Sequence, residues 1–135
     1  MIHVVCRAVA AVALAFALLI PATAEAAQVK VKAGQEAAIL NVALWRGPFC
    51  TPLKVVMKVV QAPRHGTLRE VRATLDPAKG KGGHDHFAKC HGKAMPSLAY
   101  VYRPNSGFRG KDKVVLRVLA AEDGSGTYYF DIAVE

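Results

Sequence analysis

The sequence predicts an all-β domain, an antiparallel β-sandwich of about seven strands behind a cleaved signal peptide. Three observations carry that reading. Apolar residues recur at every second position through most of the chain beyond residue 27, and helical spacing never persists. Gly, Pro and Asn clusters cut the alternating stretches into short segments, the spacing expected of a sandwich. The chain has 135 residues, 53% of them hydrophobic, which suits one folded domain and excludes a disordered chain, a TIM barrel or a full dinucleotide-binding fold. A closed β-barrel satisfies the same alternation, so the pattern leaves that architecture open.

Residues 1–26 read as an export leader. His3 and Arg7 lie near the amino end, residues 8–20 are uncharged and apolar, and Pro21 breaks the run. Ala22, Ala24 and Ala26 suit a small-residue cleavage site, preferred after Ala26. The apolar run falls short of the roughly 20 residues that a bilayer-spanning helix needs. The domain then occupies residues 27–135, with no transmembrane segment expected in it. Loss of Arg7 and Glu25 from 18 basic and 10 acidic residues leaves 17 against 9, so the net charge stays at +8.

The strands follow in order. Val29 and Val31 alternate with Lys30 and Lys32; Leu40, Val42 and Leu44 align within residues 37–44. Residues 45–52 form a connector that holds Cys50. Val55, Met57 and Val59 face inward over residues 54–61, with Lys54 and Lys58 outward. Residues 67–75 make a strand with charges at Arg69, Glu70 and Arg72. A long break spans residues 76–97. Leu98, Tyr100 and Tyr102 share a face, then Val114, Leu116 and Val118, and finally Tyr128, Phe130, Ile132 and Val134. Gly124-Ser125-Gly126 reads as the hairpin turn before the last strand.

Of three cysteines, Cys6 lies in the leader. Cys50 and Cys90 remain, an even count in an exported chain, and read as one disulfide. Two metal-ligating thiols are the alternative.

Two stretches resemble bacterial Ig-like and cadherin-like modules. One is Gln61-Ala62-Pro63-Arg64-His65-Gly66-Thr67-Leu68, similar to a P-x-H-G-T-L/V turn. The other runs from Tyr100 through Tyr102, Pro104, Asn105, Gly107, Phe108 and Gly110 to Asp112, similar to Y-x-P-N-x-G-F-x-G-x-D. The resemblance covers about residues 54–134 and implies an Ig-like sandwich, with His65 a structural turn residue. It departs from the family in being a single copy, in the 76–97 insertion, and in lacking the Asp-rich linkers of calcium-dependent adhesion, which is not carried over.

The insertion holds one concentration of metal-ligand chemistry. His84, His86 and His91 offer three nitrogens for copper or zinc, and Met95 a soft fourth ligand. The competing reading is a solvated loop tied down by Cys90. No nucleophile–base spacing, G-x-S-x-G elbow or acid–base pair stands out; Ser97, Ser106 and Ser125 all fall in turn contexts. The expectation is therefore a non-enzymatic exported module, periplasmic or secreted, that binds an envelope protein or polysaccharide or serves as a structural component of a bacterial envelope. A periplasmic copper- or zinc-binding protein and a binder of anionic envelope polymers are the alternatives. The basic balance suits a polyanion, or simply solubility. Export argues against a genomic-DNA role.

Overall fold

A computed structural model describes residues 24–46, 49–76, 90, 92–120 and 124–135. The elements are β1 (Ala27–Val31), β2 (Ala37–Val42), β3 (Leu44–Arg46), β4 (Thr51–Leu53), β5 (Val55–Gln61), β6 (Gly66–Leu75), β7 (Met95–Pro104), β8 (Gly110–Ala120) and β9 (Gly124–Val134). They form an all-β sandwich. One sheet has the order β1-β9-β8-β5, the other β2-β7-β6, and β3 pairs with β4 in a separate ribbon.

The core forms where the inward positions of the two sheets meet. Tyr102, Val114 and Leu116 have no solvent exposure, and Ile132, Phe130, Tyr100 and Met57 surround them. The Leu98/Tyr100/Tyr102 and Val114/Leu116/Val118 alternations thus place their residues as expected. Burying each large apolar side chain is worth about 1.5–3 kcal/mol. A second cluster gathers Ala43, Cys50, Cys90 and Met95, with Trp45 and Leu75 against it.

Four features differ from the sequence reading. The 45–52 connector contributes to a ribbon, Leu44 pairing with Leu53 and Arg46 with Thr51; short strands containing Pro52 carry too little alternation to be read. The main sheet is mixed, because β1 runs parallel to β9, from Ala27 opposite Phe130 to Val31 opposite Val134. Ser97 lies within β7 and is buried, since that strand begins at Met95. Gly124, Ser125 and Gly126 belong to β9, opposite Ala120, Leu119 and Val118, which moves the turn outside the described residues.

Two register shifts also redirect side chains. The shift between Ala38 and Leu40 leaves Ile39 out of the pairing register and buried in the core. The shift between Val59 and Gln61 leaves Val60 out of the pairing register but 60% exposed, and Val59, expected inward, is 40% exposed. An extra residue in one strand breaks the period-two rule locally. Tyr128, expected to share the buried face of Phe130, is also exposed.

Candidate functional site

The register of β6 on β7 defines two ends of the sandwich. Gly66 opposite Pro104 marks one, and Leu75 opposite Met95 the other.

The first end brings together the two motif turns. Asp112, near the start of β8, is 5% exposed. Its Oδ1 accepts the backbone N–H of Arg64 and its own neighbour Lys113, each at 2.9 Å. Its Oδ2 accepts the N–H of His65 at 2.9 Å and the Tyr102 hydroxyl at 3.0 Å. Burial by itself raises the Asp112 pKa, but these four donors outweigh it and hold the carboxyl below the usual range. The same contact raises Tyr102: burial first, then the hydrogen bond and charge of Asp112. The carboxylate is therefore a fully occupied acceptor, suited to holding two sheets and a turn in register rather than to moving protons.

Neighbouring motif residues complete the joint. The Asn105 N–H donates to the His65 carbonyl at 2.8 Å, and Phe108 N–H to the Asn105 carbonyl at 3.0 Å. The His65 ring stacks on Phe108, 4.3 Å between centroids and 7° between planes. Gly66 packs directly under Tyr102: a Cβ there would lie 2.4 Å from the ring. Gly107 turns at φ +75° and Gly110 at φ +132°. Pro63 precedes the turn, and Pro104 ends β7. The motif positions named from the resemblance thus converge at one end of the fold.

At the other end Cys50 and Cys90 form a disulfide with a Cα–Cα distance of 5.5 Å. It ties the turn between β3 and β4 to the chain entering β7. Cys50 holds a left-handed φ of +57°, a conformation that costs a non-glycine residue about 1–2 kcal/mol. Met95 is buried in the apolar cluster beside this disulfide, where its thioether packs as core. His84, His86 and His91 lie outside the described residues. Among the described residues no three His, Cys, Asp or Glu side chains gather as a metal site.

Between the ends, one side of the sandwich is open among the described residues. Edge strands β5 and β6 flank a cleft of about 430 Å³. Leu53, Val55, Met57 and Leu98 give it an apolar lining, and Lys54 beside β5 and Glu70 and Arg72 from β6 supply charge. Glu70 accepts the Tyr100 hydroxyl at 3.3 Å. Burial, then the Glu70 charge and hydrogen bond, raises the Tyr100 pKa. On β5, Val56, which lines the cleft, and Val59 and Val60 further along the strand are exposed.

Sequence reading missed this cleft. A signal for it exists: Glu70 and Arg72 share the parity of Leu68 on a strand whose inward face should be apolar, and inward charge marks a sheet edge. Comparison with protein-family models, curated proteins and solved structures gives no match to this chain.

Proposed function

We propose that this chain is an exported, non-enzymatic Ig-like module that acts as a binding or structural component of a bacterial envelope. The observation that carries the reading is the pair of ties at opposite ends of one sandwich. The Asp112 joint fastens the first end, and a disulfide fastens the other. Such a frame keeps its edges and loops in fixed positions, the requirement of a recognition scaffold. The most buried carboxylate among the described residues is spent on structure, and a disulfide suits an oxidising compartment. The first strand begins at Ala27, so cleavage after Ala26 spares every strand.

The test is expression of the full chain in a Gram-negative host, with fractionation and mass determination. The reading expects a periplasmic or secreted product starting at Ala27 with Cys50 and Cys90 oxidised. A cytoplasmic product that retains residues 1–26 and carries free thiols overturns it.

A further inference from the structure

We infer that the free edge of β5 is a docking strand for an extended acidic–apolar segment of a partner protein, added antiparallel or parallel to the four-stranded sheet. This rests on the binding-module reading above and names the surface and the partner chemistry.

Among the described residues β5 pairs with β8 alone, so its second row of backbone donors and acceptors faces outward. Exposed sheet edges of this kind are templates for another strand. The two strands that flank the cleft differ sharply in protection. β6 carries Arg69, Glu70 and Arg72, the last two on its inward parity. β5 reads Val-Val-Met-Lys-Val-Val-Gln, with Val56, Val59 and Val60 exposed. Its register shift lies beyond Val59, so residues 55–59 stay regular and available for pairing.

Sheet alternation fixes what an added strand must present. Every second side chain would enter the cleft, where Leu53, Val55 and Met57 favour an apolar group on the β5 side while Glu70 and Arg72 line the β6 side. The intervening side chains would lie on the outer face beside Val56 and Lys58, with Arg117, the cross-strand neighbour of Lys58, one strand further in. Both cations are exposed, and Lys58 has no ion pair among the described residues. Among the described residues Arg117 is held only by the Ser125 hydroxyl, at 2.9 Å. The chain as a whole carries +8. A second copy would set Lys58 and Arg117 against the same charges, so complementarity selects an acidic partner over self-association.

The test uses the oxidised protein and two fluorescent probes, a short peptide alternating valine with aspartate and its valine–lysine counterpart. Anisotropy reports binding, and hydrogen exchange reports the site. The aspartate peptide should bind and slow exchange along residues 55–59. A Lys58→Glu, Arg117→Glu variant should weaken it by about tenfold and favour the lysine peptide. Both substitutions fall on exposed positions, so the fold is retained.

Several results overturn the inference. Equal binding of both peptides does so, as does absence of binding. Protection at β1, β2 or β6 instead of β5 removes the docking strand but leaves the binding-module reading in place. Salt-sensitive binding without amide protection identifies a general polyanion surface. Protection of β5 that grows with protein concentration, without peptide, identifies a second copy as the occupant. The fractionation experiment judges the module reading separately.

Discussion

The Tyr102 hydroxyl donates to Asp112 Oδ2 at 3.0 Å, joining β7 in one sheet to β8 in the other. Both side chains are buried, and the same carboxylate holds the backbone of Arg64 and His65 in the turn between β5 and β6. One residue thus fixes two sheets and a crossover.

Removing the hydroxyl leaves three donors on Asp112. Tyr102→Phe should cost about 1–2 kcal/mol, whereas Asp112→Asn strands two donors and should cost about 3 kcal/mol. Urea unfolding of both single variants and the double variant should give a coupling of about 1–2 kcal/mol. Strictly additive losses would show that the contact is not formed in solution.

The pH dependence follows from the directions of the shifts. Asp112 is depressed in the folded state, so its contribution is present above the ordinary carboxyl value near 4 and is lost as pH falls through its lower folded value. The stability gap between the wild type and Asp112→Asn should shrink on acidification from pH 7 to about pH 2. Tyr102 and Tyr100 are raised, so their contribution is present below about pH 10 and is lost as pH climbs above it. Tyr102→Phe should flatten the alkaline limb; a limb of unchanged slope would contradict the assignment.

Two glycines of the joint separate crowding from conformation. A Cβ at Gly66 meets the Tyr102 ring at 2.4 Å and the Arg103 carbonyl oxygen at 2.6 Å, and the backbone atom cannot swing aside. Gly66→Ala should lose about 3 kcal/mol or more. At Gly107 a Cβ meets nothing within 4 Å, and only the left-handed φ of +75° is penalised, by about 1 kcal/mol. Thermal melts that rank the two variants in the reverse order would refute the close packing under Tyr102.

The disulfide spans 40 positions in sequence. Replacing both cysteines with serine should remove roughly 4 kcal/mol in the chain-entropy account. The loss should be uneven: hydrogen exchange should quicken first near Met95 and Leu75, which pack on the bridge, and last near Tyr102 and Pro104. Uniform acceleration along β7 would mean that the two ends unfold as one unit.

Much of the fold is legible in local pattern. Leu98/Tyr100/Tyr102, Val114/Leu116/Val118 and Phe130/Ile132/Val134 are all buried, as alternation requires. The reading fails where a register shift disturbs the phase, at Ile39 and at Val59, and where strands are too short for a period, at β3 and β4. The motif residues could be named from resemblance, but a lone Asp112 among lysines gives no hint of four donors converging on it.

The sequence by itself determined the all-β class, the alternation of most strands and the cysteine pair available for bridging. Tertiary structure alone decided that β1 runs parallel to β9, that Asp112 meets Tyr102 and the turn backbone, and that β5 and β6 become edges around a cleft. The physical reason is range. Period-two alternation is imposed by the backbone geometry of a single strand, whereas strand partners, sheet edges and buried hydrogen bonds join residues far apart in the chain.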